Sequence, residues 1–197
     1  MLLRRFRIVA AVLFIAGCYL PNDFQADLRI TPAGDYNFQF QGKLTYLPLL
    51  EKIEKSELSQ QETTRQVKAV TEDLARDRGF EQISYVDRAT FLVRYKRVGN
   101  ILTEKSFTFV RLNSRLLSLA RRPDGTVEIF GDKPNTEDAQ RIAESGIVMR
   151  GTLRIQTEAE VLSQNASEVV PADPPVYIWT IEGVEQVSPL LILKSSR

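Results

Sequence analysis

Phe24-Gln25-Ala26-Asp27-Leu28-Arg29-Ile30-Thr31-Pro32-Ala33-Gly34-Asp35-Tyr36-Asn37-Phe38-Gln39-Phe40 carries the pattern that decides the fold. Phe24, Ala26, Leu28 and Ile30 alternate with polar residues, and so do Tyr36, Phe38, Phe40, Leu44 and Tyr46 further on. A strand points successive side chains to opposite faces, so each run is a half-buried strand. Thr31-Pro32-Ala33-Gly34-Asp35 between them has the residues that turn a chain back, and the whole reads as a β-hairpin.

Beyond the hairpin the period changes. Leu49, Leu50 and Ile53 suit a short helix, and Ser59-Gln60-Gln61-Glu62 is a capping box opening a longer one through Val67, Val70 and Leu74. Gly79 is placed to stop it. From Phe80 to Asp132 the pattern is again β: Phe91, Val93 and Tyr95 alternate, and Val98-Gly99-Asn100 reads as a turn. Phe107 and Phe109 share a face, and Leu117 and Leu119 lead to the turn Arg122-Pro123-Asp124-Gly125, with Val127 and Ile129 returning. A short helix capped by Asn135 or Thr136 ends near Gly146. One long strand is expected next, with Ile147, Met149, Leu153, Ile155, Ala159 and Val161 on one side and Arg150, Arg154, Gln156, Glu158 and Glu160 on the other. Pro171 to Pro175 is an exposed loop, followed by strands at Tyr177, Trp179 and Ile181 and at Leu191 and Leu193. The expected class is α+β: an antiparallel, hairpin-rich β-sheet with two helical segments packed on it.

Upstream of the hairpin, Arg4, Arg5 and Arg7 precede an apolar run from Ile8 to Ile15, and then come Ala16, Gly17 and Cys18. These are the parts of a secretory signal. The run is shorter than the roughly 20 residues of a membrane-crossing helix. Ile15-Ala16-Gly17-Cys18 resembles the lipobox of bacterial lipoproteins, which implies cleavage between Gly17 and Cys18 and acylation of Cys18 with palmitate-like chains. Several chains hold firmly, since each buried CH₂ contributes about 0.8 kcal/mol. The expected division is a removed signal peptide at 1–17, a lipidated tether at 18–22 and a single α+β domain at 23–197. Tyr19, rather than an aspartate, follows the cysteine, which favours the outer membrane over the inner one.

The chain has 197 residues, no histidine and one cysteine, Cys18. Histidine triads, the usual zinc sites, thiol redox pairs and disulfide frameworks are thereby excluded. No GxxxxGK, no Gly-rich dinucleotide turn after a strand, no Ser-x-x-Lys pair and no GxSxG elbow occurs. No metal or cofactor is expected. Glu158 and Glu160 remain as a carboxylate pair on which hydrolase chemistry could rest, and a solubilising face is the plainer reading. Asn165-Ala166-Ser167 reads as a turn.

Charge is segregated along the chain. Arg88 to Arg122 holds nine basic residues and one acid, a net +8, between stretches of net −4 (Cys18 to Asp87) and −6 (Pro123 to Arg197). Arg94 and Lys96 share one strand face, Arg97 lies on the other, and Arg111, Arg115, Arg121 and Arg122 fall in neighbouring elements. These seven form the candidate surface for an anionic ligand, where each cation near a charged membrane is worth about 1 kcal/mol. An apolar cavity against the sheet is a further candidate, for acyl chains.

The lipobox, the Leu28–Tyr46 hairpin, the helical segment, the Pro123-Asp124-Gly125 turn and a tail with Gly151-Thr152-Leu153-Arg154-Ile155, Asn165-Ala166 and Tyr177-Ile178-Trp179 resemble the LppM-like envelope lipoproteins. That resemblance implies a membrane-anchored α+β domain with a lipid-associated role, and it carries no active-site residue across. The expectation is a non-enzymatic lipoprotein on the periplasmic side of a bacterial envelope. It would bind lipid-like material, an anionic envelope polymer or an envelope protein partner, and no nucleic acid. The alternatives are an accessory subunit of an envelope complex without a small ligand, and a carboxylate-based hydrolase.

Overall fold

The computed structural model describes residues 19–111, 114–132, 136–184 and 186–195. Gly17 and Cys18, with the signal segment, lie outside them, as does Asn135.

The hairpin forms as its alternation dictates. Strand β1 (Tyr19–Ile30) pairs antiparallel with β2 (Asp35–Tyr46), from Tyr19 opposite Tyr46 to Ile30 opposite Tyr36. Gly34 supplies the positive φ (83°) of the turn, and its N–H donates to Thr31 O at 2.9 Å. Tyr19 to Asn22, expected as tether, are already strand residues.

Pro48 opens helix α1 (Leu47–Glu54), which buries Leu49 and Leu50. Helix α2 (Gln60–Leu74) begins with the capping box: Glu62 N–H donates to Ser59 Oγ at 3.3 Å and Ser59 N–H donates to Glu62 Oε2 at 3.0 Å. It ends at Leu74, short of Gly79. Gly79 instead passes close under Tyr95, where a Cβ would overlap the ring, and its N–H donates to Asp77 Oδ1 at 2.9 Å.

Strand β3 (Phe80–Tyr85) pairs with β4 (Thr90–Asn100), and β4 pairs with β2. The turn expected at Val98-Gly99-Asn100 is absent: β4 runs on to Asn100, which caps the short helix α3 (Ile101–Glu104). Asn100 Oδ1 accepts from Leu102 N at 3.0 Å, while Nδ2 donates to Ala33 O at 3.0 Å and Asp35 Oδ1 at 2.8 Å. One side chain thus ties α3 to the β1–β2 turn.

Strands β5 (Ser106–Arg111), β6 (Ser114–Arg121) and β7 (Val127–Phe130) form a meander, with Gly125 (φ 89°) in the expected turn. After α4 (Thr136–Glu144), the long strand expected over 147–161 is two strands in two sheets. Strand β8 (Gly151–Thr157) runs parallel to β1, whereas β9 (Val161–Gln164) pairs with the later β12 (Leu190–Leu193). The chain crosses over between them at buried Thr157, whose Oγ1 accepts from Ala159 N at 3.0 Å. Strand β10 (Glu168–Val170) and β11 (Val176–Ile181) precede β12.

The class is α+β, with two sheets rather than one and four helical segments among the described residues. The larger sheet has the order β10-β11-β8-β1-β2-β4-β3, all antiparallel but for β1–β8, and the smaller has the order β5-β6-β7-β12-β9. Their inner faces meet through aromatic rings. Phe38 lies 5.2 Å from Phe109 and 5.6 Å from Phe107, and Tyr95 lies 4.7 Å from Phe109, centre to centre. Phe91, Val93, Leu119, Ile129, Ile155 and Leu191 complete a core with no exposed surface.

Candidate functional site

A bulge in β1 shapes the one end of the inter-sheet space that is not filled. Asp23 adopts φ 45°, and the β1–β2 register shifts between Asn22 and Gln25. The next residue, Phe24, lies over two glycines: a Cβ on Gly42 or Gly151 would collide with it. The missing side chains let its ring stack on Phe40, with centroids 5.5 Å apart and planes 18° from parallel.

Below this stack the sheets separate into an apolar cleft. Phe24, Phe40 and Leu153 form the wall on the larger sheet, and Phe109 and Leu117 form the facing wall. Pro21 lies buried in its lining, and Met149, Val184, Val187 and Pro189, with the polar Asp132, Gln186 and Ser188, border its open side, Val187 being 73% exposed. The cleft has a cavity volume of about 70 Å³ and is open on one side. The β11–β12 connection forms one lip. Gln186 holds it, donating from Nε2 to Thr180 O at 2.6 Å and accepting from Glu182 N at 2.9 Å.

Beside the mouth, Asp23 accepts from Arg150 Nη2 at 2.7 Å and from Lys43 Nζ at 2.9 Å. The Arg150 hydrogen bond, then that of Lys43, holds the Asp23 carboxyl below its ordinary value. Two cations on one carboxylate leave a net positive charge there.

Among the candidate basic residues whose side chains are described, there is no single cluster. Arg94 and Lys96 stand exposed on the outer face of the larger sheet, and among the described residues neither enters an ion pair or a side-chain hydrogen bond. Arg97 turns to the inner side at the opposite end from the cleft. It donates to Tyr36 OH at 3.1 Å and to Glu104 at 3.2 Å, with its guanidinium 5.1 Å from the Phe107 ring centre. Burial opposes its charge, but the bonds to Tyr36 and Glu104 outweigh that and raise its pKa. Tyr36 in turn donates to Glu104 Oε2 at 2.8 Å; burial first, then this bond, pushes its pKa up to about 12. Arg121, on the smaller sheet, donates to Leu102 O at 3.3 Å, and Arg122 forks onto Glu128 at 2.8 and 2.5 Å. The side chains of Arg111 and Arg115 lie outside the described residues. Of the five candidates whose side chains are described, Arg94 and Lys96 share the outer face, while Arg97, Arg121 and Arg122 lie elsewhere.

The carboxylates do not face a shared substrate position. Glu158 bonds Arg29 at 2.8 Å and Glu160 bonds Lys194 at 2.8 Å, at the crossover between the sheets. Arg29 lowers the Glu158 pKa, which opposes a general-acid role. Asn165, read from the sequence as a turn residue, instead joins the sheets. Its Oδ1 accepts from Trp179 Nε1 and Leu190 N, both at 2.8 Å, and Nδ2 donates to Ser188 O at 2.9 Å.

Neither a protein-family model nor a curated protein matches the chain. Among solved structures, the folded domain of LppM from Mycobacterium tuberculosis, determined by NMR, aligns over 94% of this chain and 95% of that one, at 14% identity and a TM-score of 0.43. No helix among the described residues is long and apolar enough to cross a membrane.

Proposed function

We propose that the protein is a non-enzymatic lipoprotein of a bacterial envelope, anchored through Cys18 on the periplasmic side, whose inter-sheet cleft receives a lipid-like ligand. The cleft is the observation that carries the reading. Its walls are aromatic and aliphatic, and its polar groups stand at the mouth. Polar contacts orient a ligand in most small-molecule sites; here the interior has surface to offer only to hydrocarbon. Apolar walls of this kind favour apolar guests, which remove them from water.

The test is direct. Lipid should be extractable from the purified full chain, and Leu117→Trp, which fills the cleft from the smaller sheet, should abolish its recovery while the circular dichroism spectrum is retained. Undiminished lipid in that variant would refute the cleft as the site. The anchor is separable: Cys18→Ala should leave an uncleaved, unacylated precursor, and normal cleavage in that variant would refute the lipoprotein reading.

A second reading has one observation behind it. Arg94 and Lys96 are exposed and without an ionic partner on an outer face that no other described element covers, which suits an anionic polymer or an acidic partner protein. This reading includes the accessory-subunit alternative, in which crosslinking captures one dominant partner and no lipid copurifies.

A further inference from the structure

The cleft lies close along the chain to the proposed anchor. Buried Pro21 lines the cleft and Tyr19 is already paired with Tyr46 in β1. Three residues of extended chain reach at most about 11 Å, so acyl chains on Cys18 would tether the domain within about that distance of Pro21.

The composition of this end suits a bilayer. Val187 is 73% exposed, and Met149, Val184 and Pro189 continue the apolar part of the rim, beside exposed Asp132 and Gln186. Exposed aliphatics gathered around an opening are costly in water and favourable in hydrocarbon. Arg150 and Lys43 share Asp23, the neighbour of Phe24 in the cleft wall, and leave a net positive charge there that suits headgroup phosphates.

We infer that the mouth faces the bilayer and opens into the acyl layer of the leaflet that holds Cys18, so that the ligand is one chain of a membrane lipid entering without crossing water. The inference rests on the lipoprotein and cleft readings above and adds the orientation and the source of the ligand.

Acylation consumes the only native thiol, so a single new cysteine can be labelled in the mature protein. Val187→Cys at the rim and Val98→Cys on the outer face would each carry an environment-sensitive fluorophore, in full-length protein reconstituted into phospholipid vesicles. Lipids with nitroxides along their acyl chains should shift to the blue and quench the probe at position 187 and leave that at 98 unchanged. Equal, unquenched emission at both positions, with Cys18 acylated by mass, would overturn the orientation alone. A blue-shifted probe at 187 that escapes quenching would place the protein's own anchor chain in the cleft, and would overturn it too. An unacylated Cys18 would remove the lipoprotein reading and the orientation with it. Met149→Cys offers a second rim position if labelling at 187 perturbs the lip.

Discussion

The two ends of the inter-sheet space are built from different materials. At the end near α3, both sheets contribute rings: Tyr36, Phe38 and Tyr95 from one side meet Phe107 and Phe109 from the other, at centroid separations of 4.7 to 6.5 Å. Arg97 and Glu104 then close that end over Tyr36. At the other end the larger sheet offers Phe24 and Phe40, and the smaller sheet answers with Phe109, 4.8 Å from Phe40, and then with Leu117 and Gly131. Planar rings from both walls fill a gap between sheets about 10 Å apart; where Leu117 and Gly131 follow Phe109, the cleft opens. Residue size on the smaller sheet beyond Phe109 marks where the solid part ends.

The sharpest break of this contrast comes from truncating each end. Phe38→Ala removes a ring with no exposed surface and contacts to Tyr95, Phe107 and Phe109, and should cost about 3–5 kcal/mol in denaturant unfolding. Leu117→Ala should cost only about 2 kcal/mol, because one side of Leu117 already faces free space and fewer contacts are lost. Equal losses would mean that the cleft is filled in solution.

The polar closure of the solid end makes a smaller contribution. Tyr36→Phe deletes the bond to Glu104 and the acceptor for Arg97, and should cost about 1–2 kcal/mol at neutral pH. The same hydroxyl carries a pH signature. Its pKa is raised from 10.0 to about 12 in the folded chain, so the unfolded chain loses this proton first. The stabilisation is therefore complete below pH 10 and lost as the pH rises towards 12. Wild type should weaken over that window more than Tyr36→Phe; parallel curves would mean that Tyr36 is not held neutral by the fold.

Legibility followed local physics. The β1–β2 hairpin and the start of α2 were readable because a period of two, a Gly turn and a capping box act within a few residues. What depends on partners distant in sequence was not. Alternation from Ile147 to Val161 reports inward and outward faces but not which sheet a strand joins, so the crossover at Thr157 was hidden. Gly79 looked like a helix stop because the Tyr95 ring above it is 16 positions away. Asn100 looked like a turn residue; it caps α3 through Leu102 N and Thr103 N, while its Nδ2 reaches the distant Ala33 and Asp35. The cleft was equally hidden, since a filled and a hollow sandwich show the same pattern of Phe and Leu. The basic run and the opposite facing of Arg97 to Arg94 and Lys96 were visible, but the placing of Arg121 and Arg122 at a second sheet was not.

The smallest effect on stability distinguishes inner from outer face. Arg94→Glu with Lys96→Glu changes two exposed side chains without described ionic partners, and should move unfolding by no more than about 0.5 kcal/mol. Binding is where the change would appear. If the outer face takes part, association with anionic vesicles should be salt-sensitive in wild type and weakened in the double variant, because exposed charges act through a field screened over about 10 Å at 0.1 M salt. If the cleft alone engages lipid, the variant should retain lipid while Leu117→Trp loses it, since apolar contact is indifferent to a reversed charge on the far side of the sheet. The pair of variants therefore assigns any membrane interaction beyond the anchor to one face or the other.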